Sequence, residues 1–114
     1  MRLLVCGGRR YSNKDMVIFV LDWVHKVRPL TTLLQGASTG ADSLARAWAY
    51  RNKVKVESYP ANWGRDGRRA GPVRNAAMLR IGKPDMVLAF PGGHGTGDMV
   101  GRSYMAGIEV SFIQ

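Results

Sequence analysis

Residues 90–100 read FPGGHGTGDMV and set Gly92, Gly93, Gly95 and Gly97, with His94 and Thr96, between an apolar run and Asp98. Glycine lets a backbone approach a ligand without a Cβ clash. A helix starting after such a loop offers unpaired N–H groups and the positive end of its dipole, a combination suited to phosphate. Thr96 adds a hydroxyl donor, and His94 is either a donor to phosphate or a loop-packing ring. Upstream, Arg65, Arg68, Arg69, Arg74 and Arg80 fall within sixteen residues, with Asp66 the one acid among them. Arg74 belongs to the first turn of a helix expected after Pro72. A cation there opposes the helix dipole, so its placement asks for a reason. An anion held between Arg74 and the glycine loop supplies one, because a guanidinium grips phosphate as a bidentate fork.

The standard phosphate fingerprints are absent. Gly93-His94-Gly95-Thr96-Gly97 lacks the third glycine of G-x-G-x-x-G, no acidic residue ends the second strand to hold a ribose, and no G-K-[ST] follows. Nor do His, Cys, Asp and Glu cluster at metal-ligand spacing, so no metal and no further cofactor is expected.

These residues need a scaffold, and the sequence alternates short apolar runs with helical patterns. RLLVC (2–6), TTLLQ (31–35), KVESYP (55–60), DMVLAF (85–90) and VSFIQ (110–114) read as strands. Helices are expected over 13–27, 39–52, 71–82 and 97–107. Ser12 or Asn13 caps the first, Pro72 opens the third, and Met16, Val20, Trp23 and Val27 form the apolar face of the first. Strict alternation predicts an α/β fold, a small Rossmann-like doubly wound parallel sheet of about five strands in order 3-2-1-4-5, with helices on both faces. The third strand alternates in polarity and belongs near an edge. Residues 60–71 form the longest stretch without apolar periodicity, a candidate functional loop.

Four glycine- or small-residue-rich stretches, 7–13, 35–42, 62–72 and 91–98, each follow a strand and precede a helix. In a parallel sheet they emerge at one edge, where open α/β sheets bind ligands. The helix-to-strand turns show no such enrichment. Tyr11 and Trp63 sit in these loops and can stack on a base, although Trp63 can equally cover the core. Trp23 and Trp48 read as core and His25 as helix surface.

The chain has 114 residues, one domain's worth, and a formal net charge of +9. That balance favours anionic partners such as nucleotides or nucleic acid. Cys6 is the single cysteine, so no disulfide forms within the chain, and a buried thiol is expected. The apolar run before it has three residues, against the roughly 7–15 of a signal h-region, and no run approaches the roughly 20 of a membrane helix. A cytoplasmic protein without a membrane partner is the expectation.

The stretches VCGGRRYSN, QGASTGADSLARAWA, PANWGRDGRRAGPVRNAAML and DMVLAFPGGHGTGDMV resemble the YspA/YpsA-related branch of the SLOG (Smf/DprA–LOG) superfamily, over about residues 2–107. The resemblance implies a small Rossmann-like domain and a nucleotide or nucleotide-derived ligand. With the edge loops, it nominates as ligand-binding Gly7, Gly8, Arg9, Tyr11, Gly36, Ala37, Gly40, Asp42, Arg74, Asn75, Pro91, Gly92, Gly93, His94, Gly95 and Thr96. LOG-type phosphoribohydrolases, which split a nucleoside 5′-monophosphate into base and ribose 5-phosphate, are similar at two places: their catalytic arginine corresponds to Arg74 and their P-G-G-x-G-T loop to Pro91–Thr96. Their glutamate, however, falls at Met99. Asp98 lies one residue earlier, a rotation of about 100° on a helix. It either serves as the carboxylate that glycosidic cleavage needs or caps the helix. Asp42 is a second carboxylate, for a cap or a sugar hydroxyl. The resemblance thus implies a domain that senses, carries or sequesters a nucleotide, with a phosphoribohydrolase as the alternative. Nucleic-acid binding is a further alternative, from the charge and the more distant DNA-processing Smf/DprA proteins. A homodimer or higher homo-oligomer is implied by related enzymes and permitted by the apolar first helix.

Overall fold

The computed structural model describes residues 1–114. Five strands, β1 (Arg2–Cys6), β2 (Thr32–Gln35), β3 (Lys55–Ser58), β4 (Met86–Ala89) and β5 (Glu109–Phe112), form one parallel sheet in the order β3-β2-β1-β4-β5. The expected order and the edge position of the third strand are both observed. The helices are α1 (Lys14–Val27), α2 (Ala41–Arg51), α3 (Trp63–Asp66), α4 (Ala70–Arg80) and α5 (His94–Met105). No helix is long and apolar enough to cross a membrane.

Strand alternation sends neighbouring residues to opposite faces. Leu3 and Val5 join Val17 and Leu21 of α1 and Ala41, Ala45 and Trp48 of α2 in one cluster. Leu4, between them, joins Leu34, Val87, Met78 of α4 and Met99 of α5 in the other. The central strands β2 and β4 are buried along their whole length, whereas the edge strands β3 and β5 are exposed at both ends and half-buried between them. The chain winds outward from β1 through β2 to β3, then crosses back to β4. Loops therefore diverge between β1 and β4, the place where such sheets open a crevice.

The helix starts in the second half of the chain differ from the sequence reading. The 60–71 stretch is not a loop throughout. Asn62 accepts the Arg65 N–H at 3.0 Å and starts α3; Gly67, at φ +56°, ends it, and a 3-10 turn (Gly67–Arg69) leads directly into α4. Helix α4 consequently begins at Ala70, Pro72 is its third residue, and Arg74 lies in the second turn, where the dipole argument weakens. Helix α5 begins at His94, three residues before the position expected. Thr96 and Gly97 are inside it despite glycine's low helix propensity.

The face of α1 is also shifted. Asn13 does cap the helix, accepting the Met16 N–H at 3.1 Å. Val17 and Leu21 are the residues it buries, while Phe19, Trp23 and Val27 line the outward face at 71%, 62% and 57% exposure. Trp23 is thus not core. Trp48 is, and its indole N–H donates to Asp22 at 2.8 Å. His25 is half-buried rather than a surface residue. Its Nδ1 accepts the Leu30 N–H at 2.9 Å and its ring stands edge-on to Trp48 at 5.6 Å. The two tryptophans should separate in urea denaturation: Trp48→Ala is expected to cost about 3–5 kcal/mol, and Trp23→Ala to stay within about 0.5 kcal/mol of wild type.

Candidate functional site

At the carboxyl edge of the sheet, the β1–α1, β2–α2 and β4–α5 loops and the start of α4 surround a cleft of about 470 Å³. Its walls include Gly7, Gly8, Arg9, Gly36, Asp42, Arg74, Asn75, Gly93, His94, Gly95, Thr96 and Asp98, all nominated from sequence. Tyr11, Ala37, Gly40, Pro91 and Gly92 are not part of its lining. Tyr11 packs on Phe90 with ring centroids 5.3 Å apart. Ala37 is exposed with φ +59°. The glycines divide into two groups. Gly40 takes φ +72° and presses against the backbone of Gly8 and Arg9, Gly8 donates to the Pro91 carbonyl at 2.8 Å, and Ala41 donates to the Gly8 carbonyl at 3.2 Å. These contacts lock the loops to one another. Gly93 and Gly95, in contrast, have open space where a Cβ would stand.

Helix α5 has Gly93 at its N-cap without a side-chain cap, and its first internal bond runs from the Gly97 N–H to the Gly93 carbonyl at 3.0 Å. The N–H groups of His94, Gly95 and Thr96 therefore precede the helical ladder, and these residues line the same cleft as Arg74. Asp98 lies beyond this turn and does not cap the helix. Its Oδ2 accepts from Asn75 Nδ2 at 3.0 Å and from Arg102 Nε at 2.9 Å.

Arg74 is held from three sides. Its Nε donates to Asn75 Oδ1 at 2.9 Å, and one terminal nitrogen donates to the Gly36 carbonyl at 2.6 Å and, at 3.5 Å, to that of Tyr59. The other terminal nitrogen has no protein acceptor. Burial lowers its pKa, with Asp42 and Asp98 opposing that effect and Arg9 adding to it. No carboxylate lies within ion-pair distance, so a half-buried cation is left with part of its donor fork free. Gly36 makes the seat possible: a Cβ there would collide with the guanidinium, its carbon lying 2.8 Å away.

Asp42 is buried, and its Oδ2 accepts the N–H groups of Gly36 at 3.1 Å and Ser38 at 3.2 Å. It ties down the loop before its own helix. Desolvation raises its pKa, against the Ser38 N–H, the Arg74 charge and the Gly36 N–H. Met99, at the position of the LOG-type glutamate, is buried in the α4–α5 core and forms part of the cleft floor. Cys6 is half-buried rather than a fully buried thiol and also lines the cleft; desolvation pushes its pKa up to about 12, assisted by Asp42 and opposed by Arg74. The cleft further recruits Ser38, Trp63, Arg68, Gly71, Pro72 and Met78. Of these, Trp63 and Arg68 were legible as loop residues, but the small and apolar ones carry no sequence signal. No group of three or more His, Cys, Asp or Glu side chains is placed to hold a metal ion.

A family model described as the YspA, cpYpsA-related SLOG family matches residues 1–65. The gene 61 protein of Mycobacterium phage D29 is 33% identical over 117 residues, spanning 96% of this chain and 93% of the phage protein. The chain belongs to the YspA/cpYpsA-related SLOG family. The family-model match covers β1 through the start of α3 and thus the Gly7–Arg9 and Gly36–Asp42 walls of the cleft. Arg74 and the 91–98 loop lie outside it. Membership points to a nucleotide-related function.

The state of the cleft floor can be read chemically. Alkylation of Cys6 by iodoacetamide at pH 8 is expected to be at least about 100-fold slower in the folded protein than in urea, because a raised pKa removes thiolate. Comparable rates would show that the thiol is not desolvated.

Proposed function

We propose that this SLOG domain binds a nucleotide or nucleotide-derived ligand at the carboxyl edge of its sheet, as a sensing, carrying or sequestering module. The phosphate rests on the N–H groups of His94, Gly95 and Thr96, and Arg74 grips it from the opposite wall. The observation that carries this reading is the state of Arg74: half-buried, aimed by Asn75 and Gly36, and without a carboxylate partner. A desolvated cation with free donors is an anion site waiting for its charge. The uncapped α5 terminus supplies neutral donors on the same cleft.

A second reading, cleavage of a nucleoside 5′-monophosphate to base and ribose 5-phosphate, is favoured by Asp98 lining the same cleft as Arg74. Its Oδ2 is occupied by Asn75 and Arg102, so the chemistry would fall to Oδ1. That tether, together with the apolar residue at position 99, places binding ahead of turnover.

Equilibrium dialysis against nucleoside monophosphates, with mass spectrometry of both chambers, tests the two together. An intact nucleotide retained by wild type, and lost at least tenfold in affinity by Arg74→Ala, is the expected result. Gly36→Ala should lose affinity similarly, because the new methyl displaces the guanidinium. Its melting temperature should fall by about 4–8 °C with the fold retained, the loss of about 1 kcal/mol expected when Arg74 leaves the Gly36 carbonyl. Free base that disappears in Asp98→Asn would establish the enzyme instead. Retention of nothing, or of nucleic acid alone, would overturn the proposal.

A further inference from the structure

Trp63 is an aromatic residue that the core does not use. It is 49% exposed, belongs to neither hydrophobic cluster, and its indole N–H has no protein acceptor. Its position is nevertheless fixed. It opens α3, whose turn is held by the Asn62 side-chain cap at 3.0 Å and by the Asp66 N–H on the Asn62 carbonyl at 2.9 Å. One edge of the ring reaches over buried Gly71 at the start of α4, its Cη2 lying 3.7 Å from where a Cβ on that glycine would stand.

One face of the indole carries the Arg9 guanidinium, 5.1 Å from the ring centroid. Arg9 comes from the β1–α1 loop and Trp63 from the segment after β3, yet both line the cleft that holds Arg74 and the α5 terminus. Arg9 has no carboxylate partner and is exposed, so it is free to move. A planar cation over an indole occupies the space that an aromatic base would take, and both are recognised by the same π face.

We propose that Trp63 and Arg9 form the base subsite of this cleft, in which a planar heteroaromatic base stacks on the Trp63 ring beneath the Arg9 guanidinium. The inference rests on the nucleotide reading and adds which part of the ligand lies where. Two stacked layers need about 7 Å, more than the present 5.1 Å between guanidinium and ring centroid, so Arg9 must move outward to admit a base, a movement its unpaired side chain allows. Stacking of this kind tolerates any base, so Trp63 supplies affinity for the presence of a base rather than for its identity.

The test compares adenosine 5′-monophosphate with ribose 5-phosphate by titration calorimetry, on wild type, Trp63→Ala and Trp63→Phe. Wild type is expected to bind the nucleotide more tightly than the sugar phosphate. Trp63→Ala should lower nucleotide affinity by roughly tenfold or more while leaving ribose 5-phosphate within about twofold, and Trp63→Phe should retain most of the difference. Equal losses for both ligands, or no loss for either, would overturn the base subsite while leaving the phosphate site standing. Failure of wild type to bind either ligand would instead remove the phosphate reading, and the base subsite with it.

Discussion

One buried amide organises the cleft. Asn75, 4% exposed, accepts from Arg74 Nε with its Oδ1 and donates from Nδ2 to Asp98 Oδ2 and, at 3.2 Å, to the Gly95 carbonyl. It thereby fixes the orientation of the cation, anchors the one acidic side chain of α5, and holds α4 against the glycine-rich start of α5. Its neighbour in sequence, Arg74, extends the chain of bonds to the Gly36 carbonyl, and Gly36 passes it to Asp42. Three of the walls are thus joined by one continuous polar network with Asn75 at its centre. In so buried a place each lost partner leaves an unsatisfied group costing about 1–3 kcal/mol, which is why the network has one arrangement rather than several.

That arrangement also sets the chemistry. Asp98 is held by both Asn75 and Arg102, so its first task is to position, and the charge of Arg74 is left without direct neutralisation. The carboxylates nearest the guanidinium, Asp42 and Asp98, spend hydrogen-bonding capacity on backbone and amide donors instead of pairing with it. The site is therefore cationic in both its side chains and its helix terminus. On the opposite edge of the sheet the balance is different: Arg2 is satisfied by Glu57 at 2.7 Å and by the Gly82 carbonyl at 2.8 Å. Arg2 is thus a cation with its charge met by protein partners, whereas Arg74 at the carboxyl edge keeps part of its donor fork free.

Much of the scaffold was legible in the sequence because strands reveal themselves by apolar runs and by where those runs alternate. LLV of β1 and MVLA of β4 are buried throughout, and KVES of β3 alternates, so the central and edge positions followed. Helix starts were harder. HGTG carries two glycines and has poor helix propensity, so its place in the first turn of α5 is not legible from local sequence. The expected α1 face holds at Met16 and Val20, which pack half-buried against the core, and fails at Trp23 and Val27, because Val17 and Leu21 are the residues that meet α2 and the sheet. At the site, glycine content identified the correct edge and Arg74 stood out, but not the reason for each glycine. That Gly40 serves loop packing, and that Gly36 makes room for a guanidinium, depends on contacts between residues far apart in sequence. So does the role of Asn75, whose three partners come from three different positions along the chain.

The central claim is that an anion bridges the α5 N-terminus and Arg74, and amide NMR reads both ends at once. Titration of the 15N-labelled protein with a nucleoside monophosphate should shift the backbone N–H signals of His94, Gly95 and Thr96 and the Arg74 Nε–H signal along one binding curve, with the far-edge amides near Arg2 and Glu57 unmoved. Saturable shifts that leave residues 94–96 and Arg74 in place would contradict the claim and put the ligand elsewhere on the molecule.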